Sequence, residues 1–242
     1  MAAVDELKTK IEDILSSHGF EIHPFLTGWY NELVSAKFQL DHPPDTLAFI
    51  IISQPRMFEN AFLPFLRGSV SASGDVGLSE LQDPVDQCML HYFSRLENLA
   101  PAVETLHDFQ LSPSRRPKIL VQTAGHVSGA VTFYKPGDYS QLAEKKYFPV
   151  CHHPVWGGWF ALRGVVIFPN LQTELARPHH GRPLTESQAV QLVSLYNEDW
   201  RNWTWRDVGR EAPAQEKYSD LQRKYFATPP AQRWEILRDF IS

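Results

Sequence analysis

Cysteine is scarce in this chain: Cys88 and Cys151 are the only two, too few and too far apart for a disulfide framework. No apolar run approaches the roughly 18 residues of a membrane span. Basic charge is not in excess either. The formal net charge is −5, which argues against a nucleic-acid partner, and the short cluster Arg115, Arg116 and Lys118 reads as a solvated turn between prolines. A secretory core is absent from the first residues, where Asp5, Glu6, Glu12 and Asp13 interrupt the apolar positions. Several catalytic signatures are missing as well. There is no G-x-S-x-G elbow, and the Gly/Ser segment "RGSVSASGDVG" (67–77) lacks the Lys-Ser/Thr ending of a phosphate-cradling loop. No dinucleotide fingerprint and no CxxC, HExxH or HxxxH pattern occurs. These absences exclude the commonest hydrolase, nucleotide and zinc chemistries and leave a soluble protein of a reducing compartment.

What is present describes a globular chain, 43% hydrophobic with 12% aromatics. Val4, Leu7, Ile11, Ile14 and Leu15 follow helical spacing. "TLAFIIIS" (46–53) reads as a buried strand and 67–77 as a loop. Asp83 is placed to cap a helix with Pro84 at its first position, whose stripe is Val85, Cys88, Met89, Tyr92, Phe93, Leu96 and Leu99. "KILVQT", "HVSGAVTFY" and "WFALRGVVIF", all between 117 and 168, read as strands, followed by a loop (169–184) with Pro178, His179, His180 and Pro183. Thr185 and Gln188 form a capping box before a stripe of Ala189, Leu192, Val193, Tyr196 and Trp200. Two helices close the chain, the second from Thr228 with Pro229 inside its first turn. Strands flanked by helices, with no internal repeat or clean linker, predict one α+β domain over 1–242.

Two features invite chemistry. In "CHHPVWGG" (151–158), Cys151 and His153 would share one side of a strand and His152 the other, with no further ligand nearby for a metal. In the strand after it, Trp159, Ala161, Arg163, Val165 and Ile167 alternate onto one face, so Arg163 projects among apolar neighbours. An isolated buried guanidinium is costly. Either an internal carboxylate pairs with it, or it awaits an anionic ligand for its bidentate fork. Gly157, Gly158 and Gly164 leave room for a close approach. Arg206 and Arg233 stand in similar aromatic and proline company, and each taken alone reads as a surface or helix-end residue.

Six blocks carry a resemblance: "WYNEL" (29–33), "DPVDQC" (83–88), "RRPKILVQTAGHVSGA" (115–130), "HPVWGGWFALRGVV" (153–166), "DWRNWTWRD" (199–207) and "YFATPPAQR" (225–233). In order and over nearly the whole chain, they resemble the cytosolic cobalamin-processing family of the cblC type of methylmalonic aciduria with homocystinuria. The resemblance implies a nitroreductase-like (flavin reductase-like) α+β fold with a mixed sheet flanked by helices. It implies cytoplasmic cobalamin bound base-off and stripped of its upper axial ligand. Alkyl groups would pass to glutathione, cyanide would leave after reduction of cobalt, and the cobalamin would pass on to a trafficking adaptor and the methionine synthase pathway. FMN or FAD is the flavin to expect if one supplies electrons. By the family's pattern Asp108, Ile119, Leu120, Val121, Gln122, Phe133, Tyr134, Lys135, Cys151 and Leu162 contact cobalamin, and His126 lies close to it. Arg163, Arg206 and Arg233 would hold glutathione, with helices over 185–242 completing that side. The metal is then cobalt carried in the corrin, with no protein-ligated ion. Departures from the pattern are Pro149 in place of a glycine, Thr132 and Phe133 in a tyrosine-rich segment, and an end at Ser242 without a Pro/Ser-rich tail.

Overall fold

A computed structural model of the chain describes residues 2–73, 83–179, 184–209 and 213–241. Its centre is a four-stranded sheet in the order β1 (Phe20–Leu26), β2 (Thr46–Ser53), β6 (Ala161–Gln172), β3 (Glu104–His107). Every pairing is antiparallel, so the mixed sheet expected from the resemblance is corrected to an antiparallel one. Strands β4 (Thr132–Tyr134) and β5 (Val150–His152) form a separate antiparallel pair.

All eight residues of β2 are buried, as its unbroken apolar run predicts for a strand covered on both faces. On one face, Leu47, Phe49 and Ile51 pack with the stripe of α1 (Ala2–Leu15) and with α4 (Pro84–Ser94). On the other, Ala48, Ile50 and Ile52 meet the short helix α2 (Thr27–Asn31) and the helix α5 (Val121–Val127). Full burial of each large apolar side chain contributes about 1.5–3 kcal/mol. A third cluster packs α6 (Glu186–Glu198) over Tyr134 and Val150, and the predicted capping box of Thr185 and Gln188 is formed.

Several local expectations are corrected. The segment 67–73 belongs to helix α3 (Leu63–Ser73) rather than a loop, while 74–77 lie outside the described residues. The end of "KILVQT" (from Val121) and the start of "HVSGAVTFY" form α5, and 118–120 are irregular, instead of strand, because Val121, Ala124 and Val127 find a sheet face to bury against and tertiary packing overrides β-propensity. Strand β6 runs to Gln172, past the expected loop start; His180 and Pro183 of that loop lie outside the described residues. Trp200 leaves the α6 stripe and is 57% exposed. The last helix, α8 (Arg233–Ile241), starts five residues later than expected, after a 3-10 turn over Pro230–Gln232, and follows α7 (Asp220–Ala227).

Candidate functional site

Arg163 owes its position to a break in strand pairing. Ile51 of β2 faces Gly164 and Ile52 faces Leu162, which leaves Arg163 as an extra residue in β6. A bulge of this kind re-aims a side chain. The expected face is therefore corrected: Leu162, not Arg163, joins Val165 and Ile167 in the α5-side cluster. Gly164 sits at φ 151°, and a Cβ there would come within 2.3 Å of the Leu106 carbonyl oxygen, so this bulge requires glycine. Arg163 is 9% exposed, donates from Nε to Ser53 Oγ at 2.9 Å, and accepts at its carbonyl the N–H of Asp108.

Arg206 lies in a 3-10 turn (Thr204–Asp207) that closes on the double glycine. Gly158 N–H donates to the Arg206 carbonyl at 2.9 Å, and the Arg206 guanidinium donates back to the Gly158 carbonyl. A Cβ on Gly158 would lie 2.7 Å from Arg206 Cα. The double glycine thus admits protein backbone. Four rings surround this guanidinium, those of Trp205 at 4.3 Å, Tyr218 at 4.8 Å, Trp203 at 4.9 Å and Trp159 at 5.7 Å. Asp207 holds one wall, accepting from Trp159 Nε1 and from Lys217, each at 2.8 Å. Burial lowers the Arg206 pKa, and among the described residues its Nε has no hydrogen-bond partner. Arg233 opens α8, with Nε donating to the Thr228 carbonyl at 3.0 Å and its guanidinium over Tyr225. Among the described residues, none of the three arginines has a carboxylate within ion-pair distance.

Two adjoining cavities meet at these groups. One of about 390 Å³ is lined by Asp108, Ile119, Leu120, Val121, Gln122, Cys151 and Leu162, seven of the residues expected to contact cobalamin. The other, of about 1090 Å³, takes in Arg163, Arg206 and Arg233 with an aromatic wall that includes Trp200, Trp203 and Tyr218. Ala161, Tyr196, Trp205 and Arg206 line both. Four expected residues line neither. His126 is partly buried near the end of α5. Phe133 stands opposite Cys151 in the β4–β5 pair, with Lys135 over its ring, and Tyr134 is buried under α6, its hydroxyl accepting Leu184 N–H.

The "CHH" triplet divides three ways. Cys151 faces the smaller cavity, and burial pushes its thiol pKa up. His152 Nε2 bonds the Val208 carbonyl at 3.1 Å. His153 joins Glu21 and His23, whose ligating atoms lie within 4.8 Å of one another. A metal could be imagined there, but His153 Nδ1 accepts the N–H groups of Val155 and Trp156, both at 3.0 Å. That tautomer leaves the proton on Nε2, which donates to Glu21 at 2.5 Å and has no lone pair for an ion. Sequence reasoning missed Glu21 and the rings of Trp203 and Tyr218; the tryptophan density of 199–207 was the available signal.

The methylmalonic aciduria and homocystinuria type C family profile matches residues 19–237. A Danio rerio protein named cyanocobalamin reductase / alkylcobalamin dealkylase is 42% identical over 98% of this chain and 94% of its own length. The Homo sapiens protein of the same name is 42% identical over 97% of this chain and 82% of its own. The crystal structure of a Caenorhabditis elegans B12-trafficking protein, CblC, matches with a TM-score of 0.89 at 33% identity, covering 100% of this chain and 98% of that one. With sequence, fold and coverage agreeing from end to end, the chain belongs to the methylmalonic aciduria and homocystinuria type C family.

Proposed function

We propose that this chain is a cobalamin-processing enzyme that binds cobalamin base-off across the two adjoining cavities and removes its upper axial ligand, using glutathione held at the three arginines of the larger one. The observation that carries the reading is three guanidiniums without carboxylate partners among the described residues, around a cavity that shares Ala161, Tyr196, Trp205 and Arg206 with its neighbour. Glutathione brings two carboxylates, and unpaired arginines beside them also favour the thiolate over the thiol. A flavin mononucleotide concentrates its charge on one terminal phosphate and matches three separated guanidiniums less well.

In dealkylation, the thiol loses its proton to solvent and the sulfur attacks the alkyl carbon. An S–C bond forms as the Co–C bond breaks. The bonding pair stays with cobalt, which passes from Co(III) to Co(I). The chain's residues hold sulfur in line with the carbon, and proximity supplies much of the rate. In decyanation, an electron from glutathione, a flavin or a reductase partner reduces Co(III) to Co(II), and cyanide departs with its pair. Where oxygen reoxidises the reduced cobalt, the same site would turn over as a glutathione oxidase, two thiols giving one disulfide while their two electrons and two protons pass, through cobalt, to oxygen as hydrogen peroxide.

The same reading takes 1–242 as one nitroreductase-like domain acting in the cytoplasm and handing cobalamin to an adaptor of the methionine synthase pathway. No described helix is long and apolar enough to cross a membrane. Anaerobic absorbance with methylcobalamin, before and after glutathione, tests the proposal. A base-off shift followed by glutathione-dependent conversion to reduced cobalamin is expected. A shift without conversion would leave a carrier, and no shift would overturn the assignment.

A further inference from the structure

Beyond Arg233 lies a separate cavity of about 260 Å³, lined by Asp83, Tyr225, Pro230, Arg233, Trp234 and Leu237 among others. Arg233 and Pro230 also line the large arginine cavity, so the two spaces share a wall. Opposite charges face each other across the small one without pairing: Asp83 and Arg233 form no ion pair.

Asp83 is also unusual as a helix cap. An aspartate at this position ordinarily sits in extended backbone and accepts an N–H of the first turn. Here Asp83 precedes α4 in the left-handed region, at φ 46° and ψ 69°, and its side chain makes no capping bond. Among the described residues its carboxylate forms no ion pair and lines the cavity, and strain of this kind tends to mark functional positions. An independent observation points the same way. Tyr225 is 0% exposed, yet among the described residues its hydroxyl makes no hydrogen bond of ordinary geometry, while the Arg233 guanidinium lies 4.8 Å over its ring and draws on its hydroxyl. Asp86, one turn further along α4, has its pKa raised to about 6 by burial and by the charges of Asp108 and Asp83. That crowding of carboxyls favours a cation on this side.

A carboxylate, a guanidinium and an unsatisfied buried hydroxyl around one small cavity suit a free α-amino acid group. We propose that this cavity reads the γ-glutamyl end of the thiol cosubstrate, Asp83 taking its α-ammonium while Arg233 and the Tyr225 hydroxyl take its α-carboxylate. The inference rests on the glutathione reading above and deepens it: Arg163 and Arg206 are left for the glycyl carboxylate, and the protein selects γ-glutamyl thiols over simple ones.

The test compares methylcobalamin dealkylation driven by glutathione and by N-acetylglutathione, whose ammonium is blocked, in the wild-type protein and in Asp83→Asn. Asparagine tolerates the left-handed region, and Asp83→Ser, a second uncharged cap, guards against a folding artefact. For the wild type, acetylation raises KM for the thiol about tenfold with kcat little changed, as expected for one charged hydrogen bond. Each variant raises KM for glutathione by a similar factor and leaves KM for the acetylated thiol where it was. Equal KM for the two thiols in the wild type, or an equal loss for both in the variants, would overturn the subsite while leaving the glutathione reading intact. No thiol-dependent conversion by the wild type would overturn both.

Discussion

Glu21 commits both carboxylate oxygens within the protein, one to His153 and His23 and the other to Trp156 and Gln54. Arg206 has four aromatic rings and one carbonyl around it and, among the described residues, no carboxylate. Both are charges held largely away from water. The first has its counter-groups built in, which is what folding alone requires of a buried charge. The second is left for something that arrives. A paired cluster locks the "HPVW" turn that supports the cavity wall, and an unpaired one makes the cavity selective for anions.

The largest expected effect breaks the second region. Arg206→Gln lowers the glutathione-dependent dealkylation rate, at thiol concentrations below KM, by about 100-fold, equivalent to about 2.7 kcal/mol. Its unfolding free energy stays within about 1 kcal/mol of the wild type, as urea denaturation would show. A loss of stability as large as the loss of rate would make the arginine structural. The mirror experiment breaks the first region: Glu21→Gln costs about 2 kcal/mol of stability, because His153, Trp156 and Gln54 lose a charged acceptor. KM for glutathione should not move.

Acid sharpens the comparison further. Its hydrogen bonds to His153, His23 and Trp156 outweigh burial and hold the Glu21 carboxyl well below the usual carboxylate range. Its stabilisation is therefore fully present above the unfolded pKa of about 4.3 and fades as pH falls below it. The stability gap between wild type and Glu21→Gln should stay level from pH 7 to about 5 and narrow below about 4. A gap that widened in acid would contradict the pairing. The smallest effect has the opposite sign. Asp86 is raised to about 6, so its contribution is full below the unfolded pKa of about 3.9 and is lost as pH rises through 6. Asp86→Asn should gain no more than about 1 kcal/mol above pH 6, after allowing for solvent screening, and nothing at pH 4. Denaturation at the two pH values checks it.

Local pattern carried a good share of the fold. The buried run of β2, the stripe of α1 and the capping box of α6 were legible because each depends on neighbours in sequence. The helix at 121–127 was not, since its β-branched residues become helical only against the sheet face that receives them. Arg163 was legible as a guanidinium among apolar residues, but its direction was not, because the bulge that turns it depends on pairing with β2.

The sequence by itself determined which groups would have to be reckoned with: an arginine in an apolar strand, glycines that admit a close approach, a tryptophan-dense turn and six blocks of family resemblance. Only the tertiary structure decided which charges were already answered. Glu21 and His153, far apart in the chain, meet through β1 and the turn after β5, whereas Arg163, Arg206 and Arg233 come from three separate elements to the walls of one cavity. The physical reason is range. Propensity and periodicity act over a few residues, while the pairing of a buried charge is settled by whatever the fold brings within hydrogen-bonding distance.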